Sequence, residues 1–283
     1  MSKKDVVENI EEESFVCGAE FSPADVRDYR LEVEEGMEFP EEFELKMIRV
    51  KSQGAVSSCV SFAISSVIEY HNNRQNNDPV EMSAGWIYGN RRDQITNQGK
   101  GMYTRNTLES VRKYGDVPYE LFPYNIEAPT IIDMFERSFD NLAPKAAYSR
   151  FSAYYRVKTE SEIKKSLMTD GPVVFAIKWY KDIKVVDNIL TSSQKGEGGG
   201  HCMVIYGWNK KGWKILNSWG SWNRTGTAIL PYDFVIKEAY GVTDDILDKR
   251  EDIIKPYNST FKKFIAKIIN FILNLKNLFK KKK

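Results

Sequence analysis

Residues 198–219 read GGGHCMVIYGWNKKGWKILNSW. Two apolar, strand-like runs, MVIYGW (203–208) and WKILN (213–217), flank Asn209-Lys210-Lys211-Gly212, a connection of hairpin length. Folding that hairpin carries Asn217 back to within a few residues of His201. Two polar side chains sixteen positions apart are therefore expected to meet at one end of a sheet. Scarcity sharpens the expectation, because the chain of 283 residues holds only two histidines, His71 and His201. A side-chain oxygen of Asn217 can hold one ring nitrogen of His201 while staying neutral, leaving the other nitrogen to exchange protons with a nucleophile.

The candidate nucleophile lies upstream in SQGAVSSCVSFAISSVIEY (52–70). Val60, Phe62, Ala63, Ile64, Val67 and Ile68 follow helical spacing, Ser57 or Ser58 is placed as N-cap, and the helix should fail in NNRQNNDP, closed by Pro79. Cys59 then stands at a helix N-terminus, where the partial positive charge favours the thiolate that a thiol nucleophile needs. His71 sits on the same helix twelve residues on, about 18 Å along its axis, and cannot reach the thiol. His201 is left as the acid/base. Acyl transfer also needs donors at the oxyanion; the Cys59 amide supplies one, and the amide of Gln53, six residues earlier in a glycine-containing loop, is placed to supply another. Trp219 is expected to shield the His201–Asn217 pair from water.

Composition bounds the rest. With 42% hydrophobic and 13% aromatic residues the chain can build an ordinary core, as one large domain or two packed lobes. The net charge of +2 hides an uneven distribution: residues 1–45 carry 15 acids against 4 bases, and residues 255–283 carry 9 lysines and no acid. Nucleic-acid binding is not expected from this balance. Three cysteines, Cys17, Cys59 and Cys202, are too few for a disulfide framework, and MSKKDVVENIEEE lacks the apolar segment of a secretory signal, so a reducing, cytoplasmic setting is expected. Cys17 and Cys202 read as structural. His201 and Cys202 are adjacent and Cys59 has no near partner, so no metal-ligand spacing arises and the chemistry calls for no cofactor.

Three segments follow. Residues 1–36 read as an acidic arm, residues 37–250 as the folded domain, and residues 251–283 as a basic tail. Within the domain, helices are expected over 83–92 and 104–114, the second ended by Gly115. After about residue 145 the character changes. Thr159 and Glu162 form a capping-box pattern for a short helix to Met168, which Asp170-Gly171-Pro172 stops before the strand VVFAI at 173–177. The glycines at 198–200 fit either a flexible loop or a close approach to a ligand. In the tail, Lys263, Lys267, Asn270, Asn274 and Asn277 leave an apolar face with Phe264, Ile265, Ile268, Ile272, Leu275 and Phe279. That amphipathic basic pattern suits docking on the protein's own surface or a second copy, contact with a membrane surface, or a partner protein through residues 261–283. The oligomeric state is left open.

The residues around Gln53 to Phe62 resemble the active-site motif of papain-like cysteine peptidases, QGxCGSCWAF. GGHCMVIYGW is similar to their GHAVxxVGY, and LNSWGSW to their KNSWGxxWG, with the same histidine-to-asparagine gap. MSAGWIYGNRR resembles the LSxxxLYxxxR stretch of the bacterial branch, and FSPADVRDYRL its upstream RDY element; the likeness covers about residues 22–240. It implies a two-lobed α+β fold, with a helical left lobe, an antiparallel, barrel-like right lobe and a cleft between. It also implies hydrolysis of peptide bonds in a peptide or protein substrate through a thioester acyl-enzyme. In that reading Cys59 is the nucleophile, His201 the acid/base, Asn217 its orienter and Gln53 the oxyanion donor, with Gly101, Tyr103, Gly200 and Trp219 lining the substrate. Departures are Val56 and Val60 in the first motif, Cys202 after the histidine, and Asn223 where glycine is usual. No long helical inhibitory segment precedes the domain; either the enzyme is made active or the arm crosses the cleft and gates it. An amidase or isopeptidase using the same pair, and an inactive scaffold that binds partners, are the rival readings.

Overall fold

The helix that begins at Cys59 is buried nearly all round. Thirteen of the fifteen residues of α1 (Cys59–Asn73) are shielded from solvent, including Ser61, Ser65 and Ser66, whose hydroxyls bond to Ser58 O, Lys51 Nζ and Phe62 O. A helix in that position needs partners on every side. The computed structural model describes residues 16–23, 25, 28, 31–47, 49–74, 79–91, 101–125 and 127–244. The expected tail helix over 261–283 lies outside them.

Two short strands, β1 (Ala19–Glu20) and β2 (Phe43–Glu44), precede α1. After it come α2 (Ala84–Gly89), β3 (Met102–Tyr103), α3 (Thr104–Tyr114) and α4 (Ala128–Ala146). Ser83 Oγ caps α2 by accepting from Trp86 N, and Gly115 ends α3 at φ 81°, a backbone that glycine adopts without strain. The expected helix at 83–92 thus stops at Gly89, while α3 matches its expected bounds. The remaining elements are β4 (Ala153–Arg156), α5 (Glu160–Thr169), β5 (Val173–Tyr180), β6 (Lys184–Val186), β7 (Ile189–Thr191), β8 (Gly198–Asn209), β9 (Gly212–Leu216), β10 (Thr227–Leu230) and β11 (Ile236–Thr243). Both halves of the Thr159/Glu162 capping box are formed. The glycines at 198–200 belong to strand β8 rather than to a loop.

Strands pair in the order β4-β11-β5-β8-β9-β10-β7-β6, with β2 added on β8. Alternation along the central strands divides the interior in two. Val174, Ala176, Cys202 and Val204 face the core shared with α1 and the helices, whereas Val173, Phe175, Ile177, Met203 and Ile205 face the core of the sheet-rich half. Strands buried on both faces explain why VVFAI and MVI carry no polar alternation. The result is the expected α+β architecture, with α1 lying along the seam between a helical half and a β-rich half.

An ion-pair cluster ties the chain before Cys59 to the far side of α1. Lys51 Nζ lies 3.0 Å from Glu69 Oε2 and donates to Ser65 Oγ and Met82 O at 2.9 Å, with only 5% and 2% of the Lys51 and Glu69 side chains exposed. Glu69 also accepts from Arg49 Nε at 2.7 Å and from Met82 N at 2.9 Å. Removing one partner of a buried pair strands the other charge. Glu69→Ala should lower unfolding stability by about 3 to 5 kcal/mol in urea titrations, far more than Glu109→Ala at an exposed i,i+3 pair.

Candidate active site

Cys59 opens α1, where the first-turn amides have no partners within the helix. Its thiol is completely buried. Burial pushes the thiol up to about 11, while the main-chain amide dipoles of Cys202, Gly18 and Val60 pull it down. Cys202 follows His201 in β8, so the nucleophile candidate and the acid/base candidate adjoin the same turn of strand.

His201 Nε2 donates to Asn217 Oδ1 at 2.8 Å. The same oxygen accepts from Ser218 N at 2.8 Å, which fixes the orientation of the amide, since an NH2 group cannot accept. Nε2 therefore carries the ring proton, and Nδ1 is the nitrogen left for a substrate-side proton; it is buried and has no hydrogen-bond partner. The Trp219 ring stacks on the imidazole with centroids 4.1 Å apart, and Trp179 meets it edge-on at 5.4 Å. Burial lowers the His201 pKa to about 4, with the Asn217 bond acting in the opposite direction. Near neutral pH the thiol and imidazole are both uncharged in this closed arrangement.

Gln53 is fully buried and is held from both lobes. Its amide N–H donates to Ser218 O at 2.8 Å, its Oε1 accepts from Ser218 Oγ at 2.7 Å, and Tyr124 Oη donates to its carbonyl at 2.8 Å. Ser52 bridges to Trp219, and Gly220 N donates to Lys51 O at 3.0 Å. The loop before Cys59 and the loop carrying Asn217 are thus laced together along three residues of each.

One Gln53 Nε2 hydrogen goes to Val56 O and the other to Val16 O, both at 2.9 Å. Val16 belongs to the acidic N-terminal segment, which threads directly over Cys59. Gly18 O accepts from Met102 N at 2.8 Å, and β1 runs parallel to β3 with Ala19 opposite Met102 and Glu20 opposite Tyr103. Glycines make the passage. A Cβ on Gly101 would collide with Gly18 O, one on Gly200 with Ala19 O, and one on Gly18 with Ser57 O. Farther along, Ser22 N donates to the buried Glu238 at 2.9 Å, and Asp28 pairs with Arg105 at 2.5 Å and Arg156 at 3.5 Å.

All eight singled-out side chains or glycines thus surround one place. Cys59, His201, Asn217, Gln53 and Trp219 form its centre, while Gly101, Tyr103 and Gly200 flank the strip of chain that crosses it. Asn223, standing where glycine is usual, keeps a left-handed backbone at φ 49°, which asparagine tolerates, and its amide bonds Asn188 Oδ1 and Thr227 O. Sequence reasoning missed Trp179, Glu238 and the route of residues 16–20. Trp179 was detectable as the continuation of VVFAI, two residues past its end. Nothing local marks Glu238 or the arm, whose contacts span more than thirty residues of chain.

A two-lobed α+β fold that brings a helix-terminal cysteine, a histidine–asparagine pair and a glutamine loop to the seam between its halves defines a cysteine peptidase. The family model described as "Papain family cysteine protease" matches residues 39–234, and the chain belongs to that family. In fold it is similar to xylellain, a cysteine protease from Xylella fastidiosa, at 23% identity and a TM-score of 0.70, covering 81% of this chain and 96% of that one. It also resembles procathepsin B of Trypanosoma congolense (18%, TM-score 0.59, 81% and 86% covered). A third likeness is to the Carica candamarcensis protease CMS1MS2 (16%, 0.56, 73% and 99%). No curated protein matches the sequence.

The depressed His201 pKa fixes a sign for the pH dependence of stability. An unfolded chain protonates this ring near pH 6.5, the folded one only near pH 4, so between those values added protons favour the unfolded chain. The contribution is intact above about pH 6.5 and falls by up to about 3 kcal/mol as the pH drops to 4. Chemical denaturation at pH 7.5 and pH 4.5 should show a larger loss for the wild type than for His201→Phe. Equal losses would remove His201 as the source.

Proposed function

We propose that Cys59 attacks the carbonyl carbon of a peptide substrate and His201 carries the proton. The observation behind this reading is the His201 Nε2–Asn217 Oδ1 bond, which leaves a bare, buried Nδ1 on the strand whose Cys202 amide also acts on the Cys59 thiol. A proton moving from the thiol to Nδ1 creates the thiolate and an imidazolium, which then protonates the leaving amine. A thioester to Cys59 remains, and water hydrolyses it with His201 acting as base. The Gln53 Nε2 group that now donates to Val16 O is suited to the tetrahedral oxyanion, together with the Cys59 amide. Asn217 holds the ring, and Trp219 keeps water from that bond.

The division into an arm (1–36), a catalytic domain (37–250) and a basic tail (251–283) belongs to the same proposal. The arm gates the cleft, because Val16 O uses the oxyanion donor and Gly18 and Ala19 use the glycine-lined walls that a substrate backbone would need. Its release requires loss of the Asp28 clamp on Arg105 and Arg156. A cytoplasmic setting is supported by three cysteines, none in a disulfide. No helix among the described residues is long and apolar enough to cross a membrane. The nine lysines of residues 255–283 support peripheral contact with an anionic membrane surface.

Turnover of a quenched fluorogenic peptide library tests the chemistry. Cys59→Ala should lose activity by at least about a thousandfold. Asp28→Lys should raise it severalfold by freeing the arm, and an unchanged rate would eliminate the gate. Co-sedimentation with phosphatidylserine-containing vesicles should fall when residues 255–283 are removed; equal binding would discard the membrane contact.

A further inference from the structure

The chain's three cysteines lie around one sulfur. The main-chain amides of Cys202 and of Gly18, the residue that follows Cys17, both act on the Cys59 thiol to lower its pKa, and the Gly18 Cα packs against Ser57, two residues before Cys59. The Cys17 Cα is only two covalent bonds from that Gly18 amide nitrogen. The Cys17 side chain rests against β8 at Gly199: a Cβ placed there would stand 2.7 Å from Cys17 Cβ and 3.4 Å from its sulfur. Strand alternation puts position 199 on the same face of β8 as His201, and Cys202 on the opposite face, within the core shared with α1. Cys17 is also the one cysteine of the three with partial exposure to solvent.

We propose that Cys17 is an oxidant-responsive modification site, which on exposure to a hydroperoxide couples to Cys59 and locks the N-terminal segment over the cleft as a reversible disulfide. The proposal rests on the reading of Cys59 as the reactive thiol. A Cys17 thiolate attacks one oxygen of the peroxide and the O–O bond breaks, leaving a sulfenic acid on Cys17 and hydroxide, which leaves as water with the thiol's proton. The Cys59 sulfur then attacks the Cys17 sulfur; the S–O bond breaks, and hydroxide departs as a second water with the Cys59 proton. Each sulfur gives up one electron and the peroxide takes both.

Two features favour this pairing over further oxidation of Cys59. The hydrogen bonds from Gln53 to Val16 and from Met102 to Gly18 hold residues on both sides of Cys17 in place beside the loop that leads into Cys59. Cys59 itself is buried beneath the arm, so the partly exposed Cys17 meets the oxidant first. Burial, and then the neighbouring Cys59 charge, hold the Cys17 thiol at about 12, so proximity rather than acidity selects the partner. A disulfide of this kind in a reducing compartment is transient and regulatory, and the reduced chain is the working form.

The test is covalent and independent of turnover, so a chain without peptidase activity would still report it. Full-length protein is treated with a small excess of hydrogen peroxide and analysed by intact mass and non-reducing peptide mapping. The wild type should lose two hydrogens and yield a peptide pair linking Cys17 to Cys59, both reversed by dithiothreitol. Cys17→Ser should show no such pair and should instead accumulate sulfinic acid on Cys59, a gain of two oxygens that dithiothreitol leaves in place. Oxidised wild type with Cys17 unlinked, or with Cys59 joined to Cys202, would overturn the proposal.

Discussion

The arrangement depends on one lacing: Gln53 and Ser218 exchange two hydrogen bonds, flanked by the Ser52–Trp219 bridge and the Gly220–Lys51 bond. Gln53 lies six residues before the helix that carries the thiol, and Ser218 one residue after the asparagine that holds the imidazole. Each lobe could fold its own part of the site without that seam, but neither could fix the distance between them. Buried hydrogen bonds are costly to leave unmade, so two elements joined by several of them behave as one body. The Lys51–Glu69 pair extends the lacing to the back of α1, so the loop before Cys59 is gripped from both directions.

Much of this was legible in sequence because its causes are local. The hairpin closes with Trp208 opposite Trp213 and Asn209 opposite Gly212, and that pairing, shifted by one at a bulge between Ile205 and Gly207, carries Asn217 back to His201. The capping box and the glycine stop of α3 are likewise set by residues within one turn of where they act, whereas Ser58, at the N-cap of α1, turns its hydroxyl to Val56 O and Tyr124 rather than to the helix. Helix α4 went unread although Ile131, Phe135 and Leu142 carry its buried face at helical spacing; the proline after its first residue and another near its end argued against a helix. Proline at the first turn removes an amide that has no partner there in any case.

The arm was illegible for a different reason. It has no periodicity, and its hold comes from single contacts with residues far along the chain: Val16 with Gln53, Ser22 with Glu238, and Asp28 with Arg105 and Arg156. Its acidic composition was visible, but composition does not specify a path. What could have been read is the agreement of glycines. Gly18, Gly101 and Gly200 are each needed because a main-chain carbonyl of another segment occupies the space of the missing side chain.

That agreement bears on electrostatics as well as on access. With the arm seated, water is excluded, so desolvation dominates both titrating groups and holds Cys59 as thiol and His201 as neutral imidazole. A thiolate–imidazolium pair would have to form in the same dry space, where each charge has lost its hydration and has only amide dipoles and the other ion as compensation. Removing the arm lets solvent or a polar substrate backbone enter, which lowers the desolvation penalty for both ions at once. In the proposed gate, blocking the cleft and quenching the nucleophile are one physical act, since the segment placed in the substrate's path also takes away the water that would stabilise the charged pair.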